Sequence, residues 1–283
     1  MNILHGKRKK EEIEKSLFSE IKYLKKMDIY PTLATVVASN DDSIISYVSS
    51  KKKQANNLGI KLEIHNISDC RSESEAIQYI KEISFKEDIH GIMIESPIKR
   101  EWKYENLINS IPRIKDIDGL GIENLGMILS GDENNALISA TPQACIELIE
   151  MECDLLGKNV VILGRGKTVG RPLYPLLVNR NATVTMCHTK TKDIQKIINN
   201  NEIIISAVGK ANFISTESFS NNQIVIDVGI NYNEEGKLVG DIKIGKEDGL
   251  KARSPVPGGV GPITSILIYK NLIKAIKIQR NLT

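Results

Sequence analysis

Residues 159–193, NVVILGRGKTVGRPLYPLLVNRNATVTMCHTKTKD, constrain the fold of this chain more than any other stretch. The apolar run 160–163 is too short for a helix and breaks at Gly164, as a parallel strand buried on both faces does. Gly164, Gly166 and Gly170 then crowd a turn, and Pro172 opens an apolar segment through Leu177 that suits a helix. After residues 179–181 the chain returns as Ala182, Thr183, Val184, Thr185 and Met186, β-branched and alternating. This is a strand–turn–helix–strand unit of mononucleotide-binding size. Glycines in such a turn let backbone approach a phosphate, and the helix behind them offers unpaired N–H groups and a partial positive charge.

The spacing is G-x-G-x-x-x-G, one residue longer than the usual dinucleotide fingerprint, so on glycines alone a plain strand-to-helix turn is an equal reading. The tip of the second strand adds information. An NAD site carries an acid there for the ribose hydroxyls; this chain has Cys187, His188, Thr189, Lys190, Thr191 and Lys192, with no acid before Asp193. Arg165 sits inside the glycine turn. A basic, hydroxyl-bearing rim suits the 2′-phosphate of NADP, whereas the bland alternative is a solvated basic loop.

Composition excludes several classes. A net charge of +3 over 283 residues, with lysines interleaved among acids, is no nucleic-acid signature. Cys70, Cys145, Cys153 and Cys187 form no C-x-x-C and no cluster with histidine, so neither a metal site nor a disulfide framework is expected. No apolar run approaches a membrane span and no secretory segment is visible, which leads to the expectation of a reduced, cytoplasmic setting.

Taken in order, residues 7–27 place Ile13, Leu17, Ile21 and Leu24 on one helical face. A strand follows over 33–38, then a turn at 40–43 with N-cap chemistry, and a helix ending near Leu58 at Gly59. A strand through Ile60, Leu62 and Ile64, a helix over 73–85 and a strand from Gly91 to the Glu95-Ser96-Pro97 corner continue the alternation. Residues 115–119 read as a polar turn before a loop-like stretch to Asn135. Thr141 and Pro142 read as the N-cap and first position of the next helix, with a lobe boundary just before them. Strands over 203–208 and 224–228 extend the nucleotide unit, each closing on a glycine, Gly209 or Gly229. A Pro- and Gly-rich segment, 254–262, precedes a final helix over 263–278. Alternating strands and helices predict an α/β fold with parallel sheet.

Two further features carry chemistry. Tyr47 and Lys51 are four apart on one helix, hence on one face, and could form a stacking platform with a cation beside it. From spacing alone, a surface lysine laying its stem on a tyrosine is the favoured reading. The segment SPVPGGVGP at 254–262 has a fixed path and little side chain, which suits backbone contact with a ligand.

With these pieces assembled, the sequence resembles the bifunctional methylenetetrahydrofolate dehydrogenase/methenyltetrahydrofolate cyclohydrolase family nearly end to end. The resemblance rests on Tyr47-x-x-x-Lys51, KDIDG at 115–119, Thr141-Pro142, GRG at 164–166 with VGRP at 169–172, VGIN at 228–231 and PVPGGVGP at 255–262. It implies two lobes with a folate cleft between: residues 1–138 completed by 263–283 as the catalytic lobe, and 139–262 as a Rossmann-type NADP-binding lobe. It also implies a homodimer. Lys51 would be the catalytic lysine, Tyr47 would stack on the pterin, and Asp118 would pair with the pterin's amino-pyrimidine edge. Ile94, Glu95, Ser96, Pro257, Gly258 and Gly259 would line the folate pocket, and Gly164, Arg165, Gly166, Thr189 and Ile230 would hold NADP.

Three positions depart from the family pattern. Glu95 stands where the family has Gln, Ser43 stands four rather than three residues ahead of Tyr47, and Gly166 replaces a common Ser. The first makes dehydrogenase activity with weak or absent cyclohydrolase the alternative reading. Rivals from other classes are a keto-acid dehydrogenase, which would need a proton donor among His5, His65, His90 and His188, and a non-catalytic NADP-binding regulator, against which Lys51 with Asp118 argues.

Overall fold

The computed structural model describes residues 1–39, 41–245 and 249–282, with Asp42, Ser43 and Ile45 described by backbone alone. The capping expected of Asn40 and Ser43 therefore lies outside the described residues. The chain divides into two compact units, Met1–Glu12 with Ser139–Leu267 and Ile13–Ile138 with Ile268–Thr283.

The second of these is built on three parallel strands in the order Lys61–Asn66, Thr32–Val37, Gly91–Glu95. The middle strand, TLATVV, is buried at every position, as a strand covered on both faces must be. The helix Glu73–Ser84 starts where the Ser72 side chain accepts from Glu75 N at 3.2 Å, and it packs Ala76, Ile80 and Ile83 into a core with Ile92, Ile94, Trp102 and Leu107. Its far end is closed from a distance: Lys115 Nζ donates to the carbonyls of Ser84 and Lys86, both at 2.8 Å.

Residues 116–118 then run beside the strand Gly91–Glu95, with Asp116 bridged to Ile92 in parallel sense. The stretch read as loop-like contains a helix, Ile122–Leu129. Its caps come from elsewhere in the chain, so no local signal announces it. Asp116 Oδ2 accepts from Gly121 N at 2.9 Å, and Asn109 Oδ1 accepts from Ile122 N at 2.9 Å.

The other unit holds six parallel strands in the order Asn2–Ile3, Ala252–Arg253, Ile224–Asp227, Ile203–Ser206, Asn159–Leu163, Thr183–Cys187. Residues 1–12 pack with this unit through the outermost strand. Asn2 N donates to Lys251 O and Leu4 N to Arg253 O, each at 2.8 Å, and Lys9 Nζ meets Glu147 Oε2 at 2.8 Å. A two-residue strand has too little periodicity to be read from sequence. The last helix spans Val260–Arg280, and the packing division between the units falls within it, after Leu267. Thr141 is not an N-cap: the helix Ala140–Glu150 begins two residues earlier than expected, behind Ser139. Among the described residues no helix is long and apolar enough to cross a membrane.

Candidate active site

In the unit containing Ile13–Ile138, the helix Asp42–Leu58 directs Lys51 toward the end of the strand Gly91–Glu95. Lys51 Nζ lies 2.5 Å from Glu95 Oε1, with only 12% of the lysine side chain and 8% of the glutamate exposed. The same nitrogen is 4.8 Å from the centre of the Tyr47 ring and 3.8 Å from Met93 Sδ. The surface reading of this pair therefore fails: the ammonium is turned inward and engaged, while Tyr47, 56% exposed, offers its ring face outward. A rigid aromatic face beside a cation suits a planar, electron-rich ligand. Tyr269 Oη donates to Lys51 O at 2.9 Å, tying the last helix to the turn that carries the lysine.

Asp118 completes this group. It is carried by the segment paired with Gly91–Glu95, and the backbone N–H of Ile94 donates to it. Burial pushes its carboxyl up to about 7; the Lys51 ammonium opposes this, and Asp116 and Glu95 reinforce it. Asp118 is only partly covered by area, yet the crowding of protein atoms round its carboxyl is what raises it. Burial also pushes the Tyr104 hydroxyl upward, with the Asp118 charge adding to it. Asp116, two residues earlier, has a different job. Its oxygens accept from Gly119 N, Gly121 N and Asn124 Nδ2 at 3.1, 2.9 and 3.1 Å, which holds the KDIDG turn in shape. Of the strand-end residues, Ile94 serves through its backbone because its side chain packs in the apolar core, and Ser96 is exposed.

The other unit presents a different surface. Gly164 leaves the strand Asn159–Leu163 at φ +111°, and a Cβ there would lie 2.2 Å from Ala207 O. No side chain at that position can both adopt the turn and clear the neighbouring strand end. Arg165, Gly166 and Thr189 are exposed around it, and Ile230 is 71% exposed. The helix Gly170–Val178 starts behind Val169, which supplies no side-chain cap. A glycine cradle, a helix start without a side-chain cap and an exposed guanidinium fit a dinucleotide carrying an extra phosphate.

Pro257, Gly258 and Gly259 belong to this unit, not to the one holding Lys51. Gly6 N donates to Gly258 O at 2.9 Å, and a Cβ on Gly259 would lie 2.7 Å from Pro255 O. Gly259 is therefore required by packing, whatever else it touches.

Comparison with known proteins decides what this geometry belongs to. Residues 4–118 match the catalytic domain, and residues 139–280 the NAD(P)-binding domain, of tetrahydrofolate dehydrogenase/cyclohydrolase. The chain belongs to the tetrahydrofolate dehydrogenase/cyclohydrolase family. It is 37% identical over 278 residues to the bifunctional protein FolD of Heliobacterium modesticaldum, covering 98% of this chain and 96% of that one. The solved FolD methylenetetrahydrofolate dehydrogenase/cyclohydrolase of Campylobacter jejuni superposes with a TM-score of 0.94 at 32% identity, covering 99% of each chain. The Trypanosoma brucei FolD, solved with NADP and an inhibitor, superposes with a TM-score of 0.88 at 28% identity, covering 99% of this chain and 98% of that one. Relatives at this distance are named bifunctional, so the dehydrogenase-only alternative gains no support from them.

Around the Lys51 group, sequence reasoning missed three residues: Met93 beneath the lysine, Tyr269 behind it and Tyr104 beside Asp118. Met93 was open to strand alternation, since it precedes Glu95 by two and shares its face. Tyr269 lies 218 positions from Lys51, and nothing local could have joined them.

Proposed function

We propose that the chain oxidises 5,10-methylenetetrahydrofolate to the methenyl form with NADP and hydrolyses that product to 10-formyltetrahydrofolate. The observation that carries this reading is the Lys51–Glu95 contact of 2.5 Å, set against the exposed Tyr47 ring with Asp118 close enough to feel the lysine's charge. Tyr47 stacks on the pterin. Asp118, once ionised, accepts from two parallel N–H donors of its pyrimidine edge. Oxidation needs no enzyme base, because the adjacent nitrogen lone pair drives hydride departure; orientation of the reacting carbon dominates. Hydrolysis does need proton transfers, and Lys51 at its position beside Glu95 supplies them.

Bound NADP supplies the hydride acceptor. Gly164 and Gly166 would hold its phosphates by backbone approach, Arg165 and Thr189 its 2′-phosphate, and Ile230 would cover the ring. Homodimer formation belongs to the same reading, supported by the outer edge of the strand Lys61–Asn66, where Ile64 is 45% exposed. Cytoplasmic residence rests on four thiols at spacings that suit no disulfide framework.

The test is one purified preparation assayed for NADP reduction with methylenetetrahydrofolate and then for decay of methenyl absorbance. Both activities are expected. Absence of NADP reduction with methylenetetrahydrofolate, or of methenyl decay above the uncatalysed rate, would overturn the reading.

A further inference from the structure

One feature of the NAD(P)-binding unit lies outside the residues that the family motifs single out. Asp241 is 0% exposed, and among the described residues its side chain meets five neutral donors and no cation. Oδ2 accepts from Ser206 Oγ at 3.2 Å, Val208 N at 2.6 Å and Gly209 N at 3.1 Å. Oδ1 accepts from Lys210 N and Asn231 Nδ2, both at 3.0 Å. Two loops are thereby tied to one side chain. Residues 207–210 leave the strand Ile203–Ser206, and residues 228–231 leave the strand Ile224–Asp227.

The clamp is itself held. Asp227 Oδ1 accepts from Asp241 N at 3.0 Å and Gly229 N at 2.9 Å, and its Oδ2 accepts from Ile242 N at 2.9 Å. Two glycines leave room for the pair: a Cβ at Gly240 would lie 1.9 Å from Asp227 Oδ2, and one at Gly229 would lie 2.3 Å from Asp241 Oδ1. A carboxylate fits this nest because it only accepts, with about four lone-pair sites for the surrounding donors. An amide would turn its own N–H groups on backbone N–H groups.

Both loops stand at the carboxyl ends of parallel strands, where open α/β sheets receive their ligands. The first also abuts the glycine turn. Ala207 N donates to Leu163 O at 2.8 Å, and Ala207 O occupies the space that a Cβ on Gly164 would need. The second carries the exposed Ile230 between Gly229 and Asn231.

We propose that Asp241 is a positioning residue for the dinucleotide: through five hydrogen bonds it fixes the 207–210 and 228–231 loops in the shape that receives NADP. The inference rests on the proposed dehydrogenase reading. Hydrolysis of the methenyl substrate consumes no NADP, so it separates a cofactor defect from a general one.

The experiment measures NADP affinity by direct titration, the KM for NADP and methenyl hydrolysis in the full chain carrying Asp241→Asn, Asn231→Ala or Ser206→Ala. Asp241→Asn should weaken NADP by at least about tenfold, the loss expected of one charge-assisted hydrogen bond. Hydrolysis should stay within about twofold. Asn231→Ala and Ser206→Ala, each removing one donor, should give smaller losses of the same kind, which decides the matter if Asp241→Asn does not fold. Unchanged NADP affinity in the single-donor variants, or equal loss of hydrolysis and NADP binding, would overturn the proposal. A wild-type chain that fails to reduce NADP would instead remove the reading beneath it.

Discussion

The two halves of this enzyme's chemistry are built from different materials. In the unit with Lys51, the site is made of side chains: a buried lysine–glutamate contact, an aspartate raised by burial and an exposed tyrosine ring. In the NAD(P)-binding unit, it is made of backbone: a glycine turn closed against Ala207 O, and loops pinned from below by Asp241. Charge inside a protein is costly and tunable, so the first arrangement can move protons. Fixed N–H groups can bind an anion without changing state, so the second can hold a cofactor. Side-chain substitutions should therefore divide the two activities in the first unit and alter affinity alone in the second.

The largest effect is expected from Lys51→Gln, which keeps a donor for Glu95 and removes the group proposed to exchange protons. Hydrolysis should fall by about 10²–10⁴-fold, the usual contribution of a positioned acid–base group, and oxidation far less. Parallel assays of the two reactions read this out, and loss of oxidation with hydrolysis spared would reverse the assignment.

Asp118→Ala comes next. Folate binding should weaken by about tenfold to a hundredfold, since on the proposed reading the pterin edge loses its anionic partner; the KM for methylenetetrahydrofolate measures it. Asp118→Asn sharpens the point through stability. The carboxyl titrates at about 7 in the folded chain against 3.8 for an ordinary aspartate, so the folded state binds the proton more tightly. Its contribution is thus favourable in acid and is lost as pH rises from about 4 to about 7. The neutral amide escapes that loss, so the melting temperature of Asp118→Asn should exceed wild type by more at pH 8 than at pH 5.

Smaller again is Arg165→Ala, which should weaken NADP by about tenfold while leaving NAD almost unchanged. Titration with both cofactors checks it, and equal losses would show that the guanidinium does not meet the 2′-phosphate.

How much of this was legible in the sequence follows the same division. The glycine turn and its flanking strands are local, so residues 159–187 announce themselves through periodicity and spacing. The Tyr47–Lys51 pair is local too, but its meaning is not. Glu95 reaches the lysine only because the strand Gly91–Glu95 and the helix Asp42–Leu58 belong to one packed unit, and spacing alone favoured a surface pair. The strand Asn2–Ile3, the helix Ile122–Leu129 and the clamp at Asp241 all depend on partners remote in the chain. Nothing in a local window records them.

On the proposed reading, the Lys51–Glu95 contact governs hydrolysis and not hydride transfer. It is tested most directly by the Glu95→Gln variant, with methenyl hydrolysis followed from about pH 6 to about pH 10. The Glu95 carboxylate holds the Lys51 amine in a charge-assisted contact of 2.5 Å, and an amide in its place binds the amine less tightly and leaves it freer to reach the substrate. Hydrolysis is expected to be a few-fold faster near neutral pH, with oxidation unchanged. A marked fall in hydrolysis would contradict it and make Glu95 a proton-transferring group in its own right.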